Sequence, residues 1–307
     1  MQSSRRRFLG SIAAVPLLGL ARPSLAQKIE FKTVKPGVIT VAMNGDMPMT
    51  TVADGKLTGT DGEMITVIAE QLGLVTQPLL MEWSATIQSI ISGRADAMLG
   101  NMGWTAARAK VLLLTDAVYY PGKFVLMTQD KPFRTAIAVS DMKGYSLGTV
   151  TGFTLVPDMK KVPGATEVKL YDTTDSCVRD VVAGRLDFAF LDAPTVAYLI
   201  RHNASWGLKQ VPLSFDPGFP ILTIKQHAVF GMSGENPDLF DAVNDGVRWL
   251  WKSKRNAQIL AKYGVDSPTY FEPPPTSMRI GVDRTAEGGI IGPFGHTAKD
   301  YSAAFSS

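Results

Sequence analysis

Ser92-Gly93-Arg94-Ala95-Asp96-Ala97-Met98-Leu99 has a close counterpart later in the chain, Ala183-Gly184-Arg185-Leu186-Asp187-Phe188-Ala189-Phe190. Each segment follows an amphipathic helical pattern, ends that helix with a glycine and continues into a short apolar strand. Helices that alternate with buried strands in this way are typical of a doubly wound, mostly parallel sheet. The sequence therefore predicts an α/β fold in which one arrangement occurs twice.

A charged residue that suits a ligand follows each of these two strands. After the first strand, a loop rich in small residues leads to Arg108, whose guanidinium can pair with a carboxylate through two hydrogen bonds. After the second strand comes Asp192. Ligands of open parallel sheets bind beyond the carboxyl ends of the strands. We therefore predict that Arg108 and Asp192 face each other across a cleft and hold a zwitterion, by its carboxylate and its ammonium.

Simpler interpretations of these residues stay open. Arg108 alone could be a surface residue at a helix start, and Asp192 could cap the proline-bearing helix that follows it. Thr154 lies in a loop after a predicted strand at 146–150, where it could bind an anion or serve as an ordinary helix cap. Trp83 and Trp104 could each form a wall of the pocket or pack in the core.

Composition excludes several classes of protein. The 307 residues are 45% hydrophobic and 19% charged, which suits two domains of modest size. The first 26 residues hold four arginines and no acid, so the rest has 27 basic and 28 acidic residues, and the charge does not indicate nucleic-acid binding. The single cysteine, Cys177, excludes an intrachain disulfide. The three histidines lack metal-ligand spacing, so we expect no metal and no cofactor.

The N-terminus predicts export. Ser4-Arg5-Arg6-Arg7-Phe8-Leu9 precedes an apolar run at 12–20, which is typical of a twin-arginine signal. Ser24-Leu25-Ala26 is a small-residue cleavage site, so we expect cleavage near Ala26 and a periplasmic location. The apolar run is too short for an ordinary membrane-spanning helix.

The chain resembles a known family, the bacterial extracellular solute-binding proteins of family 3, which are polar amino-acid receptors of ABC importers. The resemblance covers roughly residues 37–264 and rests on an ordered set of landmarks rather than on one specific motif. These are a glycine-bearing helix start at 59–64, Trp83, the Ser-Gly-x-x-Asp run at 92–96, Arg108, the Tyr-Tyr-x-Gly run at 119–122, Met142-Lys143-Gly144, Gly152 with Thr154, and the run at 184–192.

This resemblance implies a type II periplasmic-binding-protein fold, with two lobes joined by two crossovers that close on the ligand by a hinge motion. We predict a first lobe from 27–129 and 226–270 and a second lobe from 130–225. The predicted hinge crossovers lie near 128–134 and 220–227. Residues 271–307 form a Pro- and Gly-rich extension, which we expect to lie on the surface or to be partly disordered.

The resemblance also implies residue roles. Arg108 would bind the ligand carboxylate with help from the Thr154 hydroxyl and nearby N–H groups, and Asp192 would bind the α-ammonium. The rest of the predicted ligand-binding set is Gly103, Asn101, Asn44, Met47, Trp104, Trp83, Gly152 and Phe153. Gly103 offers no hydroxyl and Met47 no aromatic wall where the family commonly has them. Because Asn44 and Met47 are uncharged, an apolar or aromatic ligand side chain is favoured over a charged one.

The predicted function is a periplasmic receptor, monomeric, that delivers a small zwitterion such as an amino acid to an ABC permease in the inner membrane. Two alternatives stay open. One is an enzyme of the same fold that dehydrates cyclohexadienyl acids such as prephenate or arogenate, for which Glu82 is the nearest additional acid. The other is a ligand sensor for a membrane receptor, which would use the same cleft.

Overall fold

The computed structural model describes residues 30–291 and 296–305 of the chain. The predicted twin-arginine signal and its cleavage site at Ala26 lie outside the described residues. Within these ranges, no helix is both long enough and apolar enough to span a membrane.

Strands and helices alternate along the described chain. In order they are β1 (Val38–Met43), β2 (Thr51–Ala53), β3 (Lys56–Thr58), α1 (Thr60–Gln71), β4 (Val75–Leu80), α2 (Trp83–Ile91), β5 (Ala97–Met98), α3 (Ala106–Ala109), β6 (Leu113–Leu114), β7 (Phe124–Thr128), β8 (Ser146–Val150), α4 (Val156–Met159), β9 (Glu167–Tyr171), α5 (Thr174–Val182), β10 (Phe188–Ala189), α6 (Ala193–His202), β11 (Leu208–Pro212), α7 (Pro220–Thr223), β12 (Gly231–Met232), α8 (Pro237–Lys252) and α9 (Arg255–Lys262).

Two five-stranded sheets organise these elements, and each defines a lobe. The first sheet has the order β4-β1-β5-β12-β6, and the second has the order β11-β7-β10-β8-β9. In the first, β1 is parallel to β4 and β5 while β12 is antiparallel to its neighbours. In the second, β8 is parallel to β9 and β10 while β7 is antiparallel to its neighbours. The predicted α/β fold with two mostly parallel sheets is confirmed.

The repeated segment has the same structural role in both lobes. Gly93 and Gly184 end helices α2 and α5 with φ of 70° in each case, the left-handed conformation that glycine adopts without a steric penalty. The aspartate that follows then binds the neighbouring strand: the carboxylate of Asp96 accepts the Thr40 N–H at 2.8 Å, and that of Asp187 accepts the Ser146 N–H at 2.9 Å. Each motif therefore places its central strand, β5 or β10, against β1 or β8.

The first crossover between the lobes lies earlier than the sequence predicts. Strand β7 was assigned to the first lobe by the boundary at 129, but it pairs with β10 and β11 in the second sheet. The chain therefore leaves the first sheet before Phe124, not at 128–134. The polar, proline-bearing run after Thr128 is a loop within the second lobe, where Gln129 N–H donates to Gly207 O at 2.8 Å. Such a loop looks the same in sequence whether it joins two lobes or two strands of one lobe.

The return crossover follows helix α7. Leu222 is buried in the core of the second lobe, whereas Ala228 bridges to Gly103 and Tyr119 beside the first sheet. The two crossovers run next to each other, since Gln226 N–H donates to Pro121 O at 3.1 Å.

Each lobe has its own apolar core, and a third cluster lies between the sheets. The first core packs β1 against α1 and α8, with Ile39, Ile65 and Phe240 fully buried. The third cluster contains side chains of both sheets and includes Met98 and Cys177, which are also fully buried. Cys177 is thus a packing residue, as the valines at helical spacing around it indicate.

The C-terminal extension does not lie loosely on the surface, contrary to expectation for its described part. Arg279, Asp283 and Arg284 are only 3%, 5% and 6% exposed. Arg279 Nη1 donates to Thr115 O at 2.7 Å, and Arg284 Nη2 donates to Leu114 O at 2.8 Å, so both arginines cover the edge strand β6. This segment has no helical or strand periodicity because side-chain hydrogen bonds, not a backbone ladder, hold it in place.

Replacing Arg279 by Met tests this attachment. The change leaves Asp283 with less charge compensation and exposes β6 carbonyls to an apolar side chain, so we expect the free energy of unfolding to fall by about 3 kcal/mol. Urea denaturation measures it. The control Arg179→Met removes an exposed arginine paired with Asp175 and should leave the free energy of unfolding nearly unchanged, because solvent screens this pair. Equal small losses in both variants would contradict a structural role for the extension.

Candidate functional site

The predicted site residues lie where several parallel strands end. Trp83 begins α2 just after β4, the loop to Arg108 follows β5, and Asp192 follows β10. The loop with Thr154 follows β8. The carboxyl ends of these strands meet at the cleft between the lobes, which is the general ligand position for open α/β sheets.

Asp61 fixes the loop that carries half of the site. Its Oδ2 accepts the N–H groups of Gly100 and Asn101 at 3.1 and 2.7 Å, and its Oδ1 accepts the Tyr119 hydroxyl at 2.9 Å. Burial raises the pKa of Asp61, and these hydrogen bonds oppose the rise. The N-cap position of α1 is Gly59, and Asp61 lies inside the first turn of the helix. Its carboxylate is therefore free to hold the loop.

Arg108 lies at the floor of the cleft and contacts both lobes. Nη1 donates to Gly103 O at 2.7 Å in the first lobe, and Nη2 donates to Gly152 O at 3.0 Å in the second. The guanidinium also lies 5.6 Å from the ring centroid of Trp83. Burial lowers the pKa of Arg108 to about 10, so the side chain stays charged at neutral pH. A guanidinium has five N–H groups, and three of them remain beyond these two carbonyl contacts.

Asp192 faces the cleft from the second lobe and binds Asn101. Asn101 Nδ2 donates to Asp192 Oδ1 at 2.6 Å across the cleft. Burial raises the pKa of Asp192 to about 7, with the Asn101 hydrogen bond opposing the rise and the nearby Asp46 carboxylate adding to it. Asn101 Oδ1 is buried without a hydrogen-bond partner among the described residues. Two acceptors, Asp192 Oδ2 and Asn101 Oδ1, are therefore available to a donor in the cleft.

One cavity collects most of the predicted site residues. Its free volume is about 30 Å³, room for one or two water molecules, so an amino-acid-sized ligand requires the lobes or side chains to move. The predicted residues that line it are Trp83, Asn101, Gly103, Arg108, Phe153, Thr154 and Asp192. Gly152 contributes its carbonyl to Arg108.

Besides Gly152, three predicted residues do not line this cavity. Asn44 Nδ2 donates to Asp46 at 2.8 Å, and Asp46 in turn accepts the Thr174 hydroxyl at 2.6 Å, so this pair joins the lobes instead. Met47 precedes Pro48 in the same loop. Trp104 turns away, donating Nε1 to Asp283 Oδ2 at 3.0 Å, and lines a neighbouring cavity of about 190 Å³. In this arrangement of the lobes, Asn44 and Met47 lie outside the lining of the cavity.

Two crossover residues with polar side chains line the cavity and were missed from the sequence. Lys123 precedes β7, and its Nζ donates to Gln226 Oε1 at 2.6 Å. Gln226 Nε2 donates to Asn101 O at 2.9 Å. A Cβ at Gly103 would lie 2.8 Å from Gln226 Cδ, so Gln226 fills the space that a larger residue at Gly103 would need. The sequence pointed to Lys123 only weakly, through the run Tyr119-Tyr120-Pro121-Gly122-Lys123. A residue of this run faces the cleft only if the crossover between the lobes begins within the run.

Glu82 is the additional acid that the dehydratase alternative names. Glu82 is exposed and does not line the cavity. Over residues 30–291 and 296–305, no three His, Cys, Asp or Glu side chains are placed to hold a metal ion.

The family model of the bacterial extracellular solute-binding proteins, family 3, matches residues 39–266. The chain belongs to this family, and it is a solute-binding protein with the two-lobed type II fold.

Known relatives and a solved structure agree with this assignment. The probable amino-acid-binding protein YxeM of Bacillus subtilis is 26% identical over 68% of this chain and 77% of its own length. The L-cystine-binding protein TcyJ of Escherichia coli is 23% identical over 85% of this chain and 96% of its own. A solved ancestral arginine-binding protein bound to glutamine has a TM-score of 0.66 and 22% identity, over 75% of this chain and 98% of its own. The solved protein shares the fold.

The raised pKa of Asp192 predicts a pH dependence of stability without ligand. Its pKa is about 7 in the folded protein and about 3.9 in an unfolded chain, so folding favours the neutral form. This contribution is fully present below about pH 4 and is lost as pH rises through about 7. The free energy of unfolding of the wild type, minus that of Asp192→Asn, should therefore decrease between about pH 5 and pH 8 in urea titrations.

Asp180→Asn is the matched control. Hydrogen bonds from Tyr171 and Arg185 lower the pKa of Asp180, so its ionisation is complete in this range and its difference from the wild type should stay constant. A difference for Asp192→Asn that is equally flat would show that this carboxyl ionises normally.

Proposed function

We propose that this protein is an exported amino-acid receptor, which encloses an α-amino acid between its lobes and passes it to an ABC permease. The observation that carries the proposal is the opposition of charge in one cavity shared by both lobes. Arg108 offers cationic N–H donors at one end, and Asp192 with Asn101 offers acceptors at the other.

The carboxylate of the ligand would bind at Arg108. Three N–H groups of the guanidinium remain for it, and two parallel bonds to one carboxylate suit this geometry. The Thr154 hydroxyl lines the same cavity. Because Arg108 also contacts Gly103 O and Gly152 O, a ligand held there would touch both lobes and favour the closed arrangement.

The α-ammonium would bind at Asp192. An ammonium carries donors only, and it would satisfy both the free Asp192 oxygen and the unpaired Asn101 Oδ1. It would also form an ion pair with the Asp192 carboxylate, whose burial raises its pKa to about 7. This ion pair would offset part of the cost of burying that charge. The names of YxeM, a probable amino-acid-binding protein, and TcyJ, an L-cystine-binding protein, support this ligand class. We propose further that the protein acts as a monomer and has no catalytic role.

A thermal-shift screen with matched ligands tests the receptor function. Each α-amino acid is compared with the amine that lacks its carboxylate and the acid that lacks its ammonium. We expect the amino acid alone to raise the melting temperature strongly, because a ligand that binds only the folded state stabilises it by about 2.7 kcal/mol at a hundredfold excess over Kd. Arg108→Lys and Asp192→Asn should each weaken binding by about tenfold or more.

Arg185→Lys and Asp180→Asn are the controls, since Arg185 is an exposed arginine of the repeated segment and pairs with Asp180 away from the cavity. Both should bind as the wild type does. If acids without an amine stabilise the protein, and do so equally in Asp192→Asn, the proposed binding of an α-amino acid between Arg108 and Asp192 is wrong.

Export by the twin-arginine route is a separate proposal, supported by the order of arginines, apolar run and cleavage site at the N-terminus. Replacing Arg5 and Arg6 together by lysine keeps the charge but removes the paired arginines. We expect the precursor to accumulate uncleaved in the cytoplasm, while the wild type is recovered from the periplasm with Gln27 at its N-terminus. Fractionation with N-terminal sequencing measures this, and normal export of the double variant would exclude the route.

A further inference from the structure

Lys123 is a cation in the ligand cavity, and the proposed binding of the α-carboxylate by Arg108 and of the α-ammonium by Asp192 does not use it. It lines the site cavity together with Arg108 and Asp192, and it also lines the neighbouring cavity of about 190 Å³. Gln226 and Thr154 line both cavities as well. Lys123 therefore lies at the junction of the two, in the same cavity lining as Arg108 and Asp192.

The partners of Lys123 are incomplete for a buried ammonium. Its Nζ donates to the neutral Gln226 Oε1, and it forms no ion pair with a carboxylate of residues 30–291 or 296–305. Burial lowers the pKa of Lys123 to about 8. The Asp192 carboxylate opposes this decrease, and the Arg108 guanidinium adds to it. An ammonium in this state gains from an anion placed beside it.

Charges elsewhere around the cleft do not supply that anion. Asp46 is bound by Asn44 and Thr174, and Asp61 by the N–H groups of Gly100 and Asn101. The cavity lining thus has two cations, Arg108 and Lys123, and one anion, Asp192. An α-amino acid with a neutral side chain adds no net charge and occupies Arg108 and Asp192, which leaves Lys123 as a buried cation whose hydrogen-bond partner, Gln226, is neutral.

We propose that Lys123, held by Gln226 at the junction of the two cavities, binds an anionic group on the side chain of the ligand, so that the preferred ligand is an acidic α-amino acid. This inference rests on the proposed amino-acid receptor function. It replaces the expectation of an apolar or aromatic side chain, since Asn44 and Met47, on which that expectation depends, lie outside the cavity lining.

Titration calorimetry with charged and neutral pairs of equal shape tests the proposal. The probes are L-glutamate against L-glutamine and L-aspartate against L-asparagine, with the purified full-length protein. At least one acid should bind about tenfold or more tightly than its amide, because a charge-assisted hydrogen bond forms only with the acid. In Lys123→Met the ratio of the two dissociation constants should fall to about one.

Lys131→Met is the matched control, because Lys131 pairs with Asp187 outside the cavity, and it should keep the wild-type ratio. If Lys123→Met does not fold, Lys123→Gln keeps a donor to Gln226 and should lose the same preference. Equal or tighter binding of the amides by the wild type, or a preference that persists without Lys123, overturns the inference. Neutral amino acids that bind and depend on Arg108 and Asp192 would leave the receptor function intact; failure of every amino acid to bind would overturn both.

Discussion

The hydrogen bonds between Asp61 and the loop after β5 are the constraint on which the site depends. A carboxylate buried without a cationic partner among the described residues is costly unless donors surround it. Gly100, Asn101 and Tyr119 supply those donors, and in doing so they hold Asn101 in a left-handed conformation with φ of 52°. Asn101 then projects from a fixed loop, and Arg108 projects from helix α3, which follows that loop. Loss of these bonds would move both the acceptor and the donor end of the site.

Opposite charges in the cleft are each partnered by neutral groups rather than by each other. Arg108 is bound by two carbonyls and Asp192 by an amide. The contacts of Arg108 with Gly152 and of Asn101 with Asp192 join the lobes. The perturbed pKa values of Arg108, Lys123 and Asp192 share one first cause, which is burial. A ligand with matching charges would offset part of the cost of burying these three groups. The same burial that perturbs their pKa values therefore contributes to the affinity and the selectivity of binding.

The C-terminal segment ties the site loop to the edge of the first sheet. Asp283 accepts the Trp104 Nε1–H and pairs with Arg279, which also binds the carbonyls of β6. Trp104 follows Gly103 directly, and its own N–H donates to His227 O at 2.9 Å beside the return crossover. The loop between β5 and α3, which leads to Arg108, is therefore held by three contacts. These are with Asp61, with the return crossover and with the C-terminal segment. A rigid loop holds charged donors in place at a lower entropic cost on binding.

Local patterns in the sequence determined the fold class and the positions of Arg108 and Asp192. A glycine-terminated helix followed by an apolar strand depends on interactions within a few residues, so the repeat at 92–99 and 183–190 could be recognised directly. The tertiary structure alone decided that β7 belongs to the second sheet, that Trp104 faces Asp283, and that Lys123 meets Gln226. These contacts join segments far apart in the chain, from Thr128 with Leu208 to Trp104 with Asp283. No periodicity encodes them, because they depend on which strands pair and which faces meet once both lobes are folded.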